Sequence, residues 1–215
     1  MTYSHQGILI TFEGCDGGGK TTQLQLLAER LKQTKRAFLA LREPGGTDIG
    51  ETVRSILLQK KHASLCAEAE LLLFEAARAQ LVHEVIRPAL NEGKIVLCDR
   101  FMDSTTAYQG AGRYLSLEAI NVMNAFATGD VCPNMTFLLD VPPKVSRQRV
   151  LQRTFNDLDR MEGEELNFYE RVREGYLRLA ETHPERIIVV DACRDKEVIA
   201  DFIWGKVQCI LPTDE

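Results

Sequence analysis

The chain has 215 residues, of which 45% are hydrophobic, and its formal net charge at pH 7 is −5. This length is enough for one domain with a full core, so we expect a single domain over residues 1–215. The acidic balance gives no support for a nonspecific nucleic-acid-binding protein. We also expect no membrane partner, because no apolar run reaches the length of a membrane span and residues 1–6 lack signal-peptide features.

Six cysteines are spread singly along the chain, without a C-x-x-C pair: Cys15, Cys66, Cys98, Cys132, Cys193 and Cys209. This spacing is typical of reduced thiols in a cytoplasmic protein. Cys15 has two interpretations. A thiol near a helix N-terminus can have a lowered pKa and become reactive, or Cys15 is a passive loop residue.

A phosphate-binding loop is the first motif in chain order. Residues 14–21 read GCDGGGKT, a complete G-x-x-x-x-G-K-[ST] sequence between an apolar run at 7–13 and a helical pattern at 22–31. In such a loop, backbone N–H groups and the helix N-terminus bind phosphates, the lysine reaches the outer phosphates, and the hydroxyl ligates Mg²⁺. We therefore expect Thr21 to be a Mg²⁺ ligand and a nucleoside triphosphate to bind Gly14, Cys15, Asp16, Gly17, Gly18, Gly19, Lys20, Thr21 and Thr22.

Strands and helices alternate through the rest of the chain. Apolar runs predict strands at 7–13, 36–41, 95–100, 135–140 and 186–191. Amphipathic patterns predict helices at 22–31, from 48 onward, and at 68–91, 103–110, 117–128, 144–179 and 195–210. We expect Glu51 to form a capping box with Asp48, Pro88 to break or kink its helix, and a mobile loop at 154–157 to join two helices within 144–179. The alternation predicts an α/β fold in which helices cover both faces of a five-stranded parallel sheet, giving three layers.

Charged residues follow several of these strands. Asp99 and Arg100 end the third strand and Arg42 follows the second, so all three should lie at the carboxyl edge of the sheet, where such sheets bind ligands. Asp99 is in position to contact Mg²⁺ through a water molecule. Several arginines together with a lysine suit two phosphorylated substrates rather than one.

The phosphate-binding loop alone does not define the function. A GTPase should carry N-K-x-D, but the chain has no Asn-Lys pair, and no D-x-x-G follows the strand that ends at Asp99. The serine-glycine-glycine signature of an ABC-type ATPase does not occur either.

Four motifs taken together resemble the thymidylate kinase family: FEGCDG at 12–17, REPGGT at 42–47, DRF at 99–101 followed by AYQG at 107–110, and LDRME at 158–162. The resemblance implies a P-loop kinase fold with a short lid at about 149–162. It also implies transfer of the ATP γ-phosphoryl group to dTMP, giving dTDP for dTTP synthesis, and a homodimer.

The resemblance implies roles for individual acceptor-site residues. Asp16 matches the carboxylate that accepts the 3′-hydroxyl, Phe74 the aromatic that stacks on thymine, and Arg78 the arginine that donates to a thymine carbonyl. Arg54 and Arg100 match the arginines that hold the 5′-phosphate. Tyr108 matches the tyrosine that disfavours a ribose, Thr105 and Gln109 lie near the base, and the motif residues Glu43, Pro44 and Ser104 belong to the same site.

The resemblance to the bacterial branch also implies that lid arginines stabilise the transition state, alongside Lys20 and Arg100. Arg153 and Arg160 are the main candidates, and the sequence leaves open which of Arg149, Arg153 and Arg160 reaches ATP. Other interpretations remain. Arg153 and Arg160 could pair with lid carboxylates, Arg54 could pair with Glu51, and Phe74 could be an ordinary core residue.

Alternative functions also remain at this point. A deoxynucleoside kinase would need a carboxylate base for a neutral hydroxyl acceptor, and phosphate-holding arginines argue against it. A nucleotide-binding regulatory module would bind ATP without transferring a phosphoryl group. A kinase for another monophosphate, such as UMP or AMP, would need a different base pocket.

Overall fold

The computed structural model describes residues 7–155 and 157–211. Residues 1–6, where we expect no signal peptide, lie outside the described residues. So does Asn156, within the loop expected at 154–157.

Five parallel strands form one sheet: β1 Ile8–Glu13, β2 Phe38–Arg42, β3 Ile95–Asp99, β4 Met135–Asp140 and β5 Ile187–Asp191. Their spatial order is β2-β3-β1-β4-β5, and neighbouring strands are parallel. The chain first winds from β1 past β3 to β2, and later crosses from β3 past β1 to β4. The winding direction therefore reverses beside β1, which opens a crevice at the carboxyl ends of β1 and β3.

The helices are α1 Lys20–Gln33, α2 Asp48–Leu58, α3 Ala67–Leu81, α4 Arg87–Asn91, α5 Met102–Thr105, α6 Leu117–Thr128, α7 Pro143–Thr154, α8 Leu166–Thr182 and α9 Lys196–Gln208. A short 3₁₀ turn spans Lys60–His62, and π-helical turns span Val82–Ile86 and Thr106–Gly112. Within the described part of the chain, no helix is both long and apolar enough to cross a membrane.

Side chains of the sheet alternate between two cores. Ile10 and Phe12 of β1 pack with α1, α8 and α9, whereas Leu9 packs on the opposite face with residues of the π-helical turn Val82–Ile86. This period of two buries both faces of the sheet. The predicted three-layer α/β fold with a five-stranded parallel sheet is confirmed.

Local structure differs from expectation at several boundaries. The N-cap of α2 is Thr47 rather than Asp48: its hydroxyl accepts from the Gly50 N–H at 3.0 Å, while Glu51 accepts from the Gly46 N–H at 2.8 Å. Before Pro88 the helix forms a π-helical turn instead of breaking, and this wider turn accommodates the proline ring.

The third strand ends one residue early, whereas the break expected in the long charged helical stretch is observed. Arg100 has φ 72°, in the left-handed region, so it cannot extend β3. The helical stretch predicted at 144–179, with a break at 154–157, is observed as two helices, α7 and α8. Phe155 closes α7 with φ 51°, a left-handed conformation that ends helices. The two helices are farther apart in the chain than the expected loop requires, and Asp159, Met161 and Glu162 between them line the crevice.

Candidate functional site

A cleft of about 540 Å³ opens at the carboxyl ends of β1, β2 and β3. Most residues expected at the site line it: Asp16, Gly17, Gly19, Lys20, Thr21, Thr22, Glu43, Pro44, Arg54, Phe74, Arg78, Asp99, Arg100, Ser104, Thr105, Tyr108, Gln109 and Arg153. Gly14, Cys15, Gly18 and Arg160 are not part of its wall. The cleft also includes Arg42 from the carboxyl edge of the sheet, Arg149, Asp159, Met161 and Glu162 from the expected lid, and Leu58, which the sequence did not indicate.

Two glycines give the phosphate-binding loop its path from β1 into α1. Gly14 has φ 126°, and a Cβ atom there would lie 2.4 Å from the carbonyl oxygen of Leu139. Gly19 is the N-cap of α1 with φ 88°. Both positions favour glycine because L-residues rarely adopt these conformations. The loop thus delivers the chain to a helix N-terminus, whose partial positive charge favours an anion in the cleft.

Lys20 is held at the cleft wall as a buried cation. It is 6% exposed, and its Nζ donates to the carbonyl oxygens of Gly14 at 3.1 Å and Cys15 at 3.0 Å. Burial lowers the pKa of Lys20, and the nearby charge of Arg100 lowers it further. A phosphate group in the cleft would supply the anion that this ammonium lacks.

Cys15 does not have the environment of a reactive thiol. It is buried, and burial raises its pKa to about 12, with the charge of Asp16 acting in the same direction. A thiol in this state is not a nucleophile near neutral pH. The passive interpretation of Cys15 therefore fits the structure.

Arg100 lies between the phosphate-binding loop and the π-helical turn Thr106–Gly112. Its guanidinium donates to Asp16 Oδ1 at 2.6 Å, to the Tyr108 hydroxyl at 3.0 Å and to the Gly14 carbonyl oxygen at 3.0 Å. Burial opposes ionisation of Asp16, yet the charges of Arg100 and Lys20 hold its pKa below the usual range. The site thus keeps a carboxylate and two cations within one hydrogen-bonded group.

Glu13 supports this arrangement from below and was not expected at the site. Its carboxylate accepts from the Phe101 N–H at 2.7 Å, the Ser104 hydroxyl at 2.6 Å and the Tyr176 hydroxyl at 2.8 Å. Burial, followed by the charge of Asp103, raises the pKa of Glu13 to about 7. In the sequence, Glu13 appears as a charged residue at the end of an apolar strand and as the second residue of the FEGCDG motif, neither of which indicates these partners.

Arg42 and Arg54 form a positive corner on the side of α2. Arg42 pairs with Glu51 at 3.0 Å, while Arg54 donates to the Pro44 carbonyl oxygen at 2.9 Å. The alternative pairing of Arg54 with Glu51 is therefore not the one observed. Burial and the charge of Arg42 lower the pKa of Arg54, so an anion bound here would relieve repulsion between neighbouring cations.

Thr21 and Asp99 provide the donor atoms that Mg²⁺ prefers. The Thr21 hydroxyl donates to Asp99 Oδ2 at 2.5 Å, beside the start of α1. Hydroxyl and carboxylate oxygens at the phosphate-binding loop suit Mg²⁺, which usually keeps waters and binds substrate phosphates as well. The residues present therefore fit the ion.

Arg78 is engaged by the protein at every guanidinium nitrogen. It is 1% exposed and donates to Glu43, Glu75, Thr105 and Asn124 and to the carbonyl oxygen of Phe101. Glu43 and Glu75 lie 2.7 and 2.6 Å from its guanidinium nitrogens. A base carbonyl could bind Arg78 only by sharing an N–H with one of these partners. Phe74, one turn earlier on α3, is half-buried and lines the cleft.

The three lid arginines occupy different positions. Arg153 lines the cleft, is 60% exposed and forms an ion pair with Glu162. Arg149 lines the cleft and donates to the carbonyl oxygens of Gly17 at 3.3 Å and Ala192 at 3.1 Å. Arg160 turns away from the cleft, because Glu70 Oε2 and the Leu57 carbonyl oxygen both accept from it at 2.6 Å.

The pair of carboxylates around Arg78 makes stability depend on pH. One guanidinium faces two carboxylates, and burial raises the pKa of Glu43 to about 7 despite the charge of Arg78. In the unfolded chain this carboxyl titrates near 4.5, so between these pH values the folded state binds more protons. The stability contributed by protonated Glu43 is complete below about 4.5 and is lost as the pH rises through about 7.

We therefore expect the free energy of unfolding to fall by on the order of 2 kcal/mol more in the wild type than in Glu43→Gln between pH 5 and 8. Urea unfolding at both pH values measures this difference. Glu84→Gln, an exposed position on the π-helical turn Val82–Ile86, is the control and should follow the wild type. Equal pH slopes in Glu43→Gln and the wild type would show that Glu43 titrates normally.

Comparison with known proteins agrees with the geometry of the site. A family profile described as thymidylate kinase matches residues 12–203. The chain is 47% identical over 213 residues to a thymidylate kinase of Chlorobium chlorochromatii, covering 95% of this chain and 96% of that protein. It is 50% identical over 204 residues to a thymidylate kinase of Thermomicrobium roseum, covering 94% and 95% of the two chains.

A solved structure agrees. The crystal structure of thymidylate kinase from Ehrlichia chaffeensis superposes with a TM-score of 0.76 at 37% sequence identity, covering 94% of this chain and 99% of that chain. The four sequence motifs, the phosphate-binding loop on a five-stranded parallel sheet and these near-full-length matches agree with one another. This chain belongs to the thymidylate kinase family.

Proposed function

We propose that this chain transfers the γ-phosphoryl group of ATP to the 5′-phosphate of dTMP, giving dTDP and ADP, as a step in dTTP synthesis. The observation that carries the proposal is the convergence of Lys20, Arg54 and Arg100 on one cleft that also contains Phe74. Cations both at the phosphate-binding loop and on the side of α2 suit two phosphorylated substrates. Membership of the thymidylate kinase family supports dTMP as the acceptor.

The acceptor needs no general base. A phosphate monoester has a second pKa of about 6, so it is mostly a dianion near pH 7 and can attack without losing a proton. The main barrier is the approach of two polyanions in line, which requires positive charge and accurate positioning. The buried cations of this cleft provide both, and a deoxynucleoside kinase would have no use for Arg54 and Arg100.

The residues divide between the two substrates. On the ATP side, the loop from Gly14 to Thr22 cradles the phosphates and Lys20 contacts the outer ones.

On the acceptor side, Arg54 and Arg100 hold the 5′-phosphate, Asp16 accepts the 3′-hydroxyl and Tyr108 crowds the 2′ position. Phe74 stacks on the base, with Arg78, Thr105 and Gln109 around it and Glu43, Pro44 and Ser104 completing the wall.

The lid over 149–162 closes the ATP side within a single domain. Arg149 and Arg153 line the cleft and are the lid arginines we assign to the ATP phosphates. Arg160 was expected to share this role, but its guanidinium is bound to Glu70 and α2, so we assign it no contact with ATP. Mg²⁺ bound near Thr21 and Asp99 would neutralise charge on the ATP phosphates.

Separate observations support our proposals for partners and location. A homodimer is supported by apolar side chains exposed on the adjacent helices α3 and α6, namely Leu72, Val122 and Phe126, the last 89% exposed. A cytoplasmic location is supported by the six cysteines, all within the described residues and all unpaired. We propose neither a nucleic acid nor a membrane as a partner.

Phe74 gives a direct test of the acceptor. We expect the wild-type protein with Mg·ATP to convert dTMP to dTDP in preference to UMP and AMP, and Phe74→Ala to raise KM for dTMP on the order of 10-fold. Loss of a base–aromatic stack of about 1–3 kcal/mol gives this range. Glu68→Ala, an exposed position on the same helix, is the matched control.

Product analysis across the monophosphate panel separates the alternatives. Preferred turnover of UMP or AMP would contradict dTMP as the acceptor, and ATP binding with no diphosphate formed would indicate a regulatory module. An unchanged KM in Phe74→Ala would remove Phe74 from the base pocket.

A further inference from the structure

Glu70 is a buried carboxylate that joins three separate segments of the chain. It lies in the first turn of α3 and is 1% exposed. Its Oε1 accepts from the Gln109 amide at 2.8 Å and from Arg113 Nε at 3.2 Å. Its Oε2 accepts from Arg113 at 3.1 Å and from Arg160 at 2.6 Å. The four acceptor positions of a carboxylate are thus used by four donors.

These donors come from functionally different places. Gln109 lines the cleft on the π-helical turn Thr106–Gly112, whereas Arg160 belongs to the lid. Arg160 is also fastened to α2, because its Nε donates to the Leu57 carbonyl oxygen at 2.6 Å and its backbone N–H to the Leu58 carbonyl oxygen at 3.0 Å. Glu70 therefore links one wall of the acceptor cleft to the lid through two hydrogen bonds.

The charge of Glu70 determines how its partners are oriented. Burial opposes ionisation, but hydrogen bonds from Arg113 and Gln109 hold the pKa of Glu70 below its ordinary value. An ionised carboxylate only accepts hydrogen bonds, so it selects the NH₂ end of the Gln109 amide. Charge-assisted bonds in a buried site are strong and depend on one another, so a shift of Gln109 alters the hold on Arg160.

We propose that Glu70 is a positioning residue that transmits occupation of the acceptor site at Gln109 to the lid at Arg160. The inference rests on the proposed function, in which the base of dTMP lies near Gln109. It identifies a route by which acceptor binding prepares the ATP side of the cleft before ATP arrives. A buried network of this kind, shared by two sites, can carry coupling between them.

Amide hydrogen exchange with and without saturating dTMP, in the absence of ATP, tests the coupling. In the wild type we expect dTMP to slow exchange of α3 amides and to change exchange of the lid, residues 149–162, on the order of fivefold. In Glu70→Gln we expect α3 to respond as before, while the lid response falls to less than about twofold. The glutamine keeps the shape of Glu70 but presents an NH₂ group to the arginines.

Glu164→Gln is the matched control. Glu164 accepts from Arg113 at 2.5 Å, and within the described part of the chain it forms no hydrogen bond to Gln109 or Arg160. This variant weakens the ion pair of Arg113 but keeps the hydrogen bonds from Gln109 and Arg160 to Glu70. Its lid should therefore respond to dTMP as the wild-type lid does. A merely structural role for Glu70 would affect both variants through stability and would leave the dTMP response of the lid in place.

A second variant covers the possibility that Glu70→Gln fails to fold. Arg160→Met cuts the same link from the half-buried lid side, and its lid should likewise lose the response to dTMP while α3 keeps it. A lid that responds fully in either folded variant overturns the proposal. If dTMP slows amide exchange in α3 of the wild type but does not change exchange of the lid, the proposal is also overturned. The assignment of the acceptor site would then still hold. No dTMP binding by calorimetry would overturn the acceptor assignment and the coupling together.

Discussion

Replacing Lys20 with alanine will lower kcat by on the order of 10² or more and leave a folded protein. The ammonium lies at the cleft wall, where its bonds go to the carbonyl oxygens of Gly14 and Cys15. Lys20 therefore contributes mainly by stabilising the negative charge that develops during phosphoryl transfer. The fold tolerates the change because removing Lys20 also removes the desolvation penalty of a buried cation, visible in its lowered pKa.

Steady-state kinetics with Mg·ATP and dTMP measures the loss, and circular dichroism with thermal unfolding checks the fold. Lys32→Ala is the matched control, because Lys32 lies on the same helix α1 but is exposed and pairs with Glu29. Its turnover should stay near the wild-type value. Near-normal turnover in Lys20→Ala would reject the role we assign to the phosphate-binding loop lysine.

Replacing Arg100 with alanine will also lower kcat by on the order of 10² or more, and it will raise KM for dTMP. Arg100 is the cation placed between the phosphate-binding loop and the acceptor wall, bonded to Asp16 at 2.6 Å and to Tyr108 at 3.0 Å. Its φ of 72° is a strained conformation for a residue with a side chain, which indicates that tertiary contacts hold it in place. Strain of this kind is common at functional sites.

Arg100→Lys separates charge from geometry. Lysine keeps the positive charge but cannot reproduce the planar fork that reaches several oxygen atoms at once, so we expect turnover between those of the wild type and Arg100→Ala. Arg178→Ala, at an exposed helix position with a 3.8 Å contact to Glu174, is the control for loss of an arginine. Equal turnover in Arg100→Ala and Arg178→Ala would contradict the proposed role.

The fold and the phosphate-binding loop could be predicted from the sequence because their signals are local. Apolar runs at the five strands are short and continuous, as strands buried on both faces require. The glycine loop fits one strand–turn–helix path, and the observed φ values at Gly14 and Gly19 are the conformations its glycines allow. Element boundaries were less accurate where the neighbouring residue supplied the N-cap, as at Thr47, or where a left-handed residue ended a strand, as at Arg100.

The partners of the charged side chains could not be predicted from the sequence. Arg160 lies between Asp159 and Glu162 in LDRME, but its guanidinium binds Glu70, 90 positions away. Arg42, rather than Arg54, takes Glu51. Glu13 and Tyr176 meet beneath Arg100 although they lie at opposite ends of the chain. A single charged residue produces no periodic pattern in the sequence around it. Its partner depends on which segments the fold brings together.

By itself, the sequence determined that the chain builds a parallel sheet, ends its first strand in a phosphate-binding loop and carries the motifs of the thymidylate kinase family. Only the tertiary structure decided which arginines line the cleft and which are occupied inside the protein. The physical reason is that backbone conformation follows from neighbouring residues, whereas a buried ion pair depends on distant segments whose desolvated charges must be compensated where they meet.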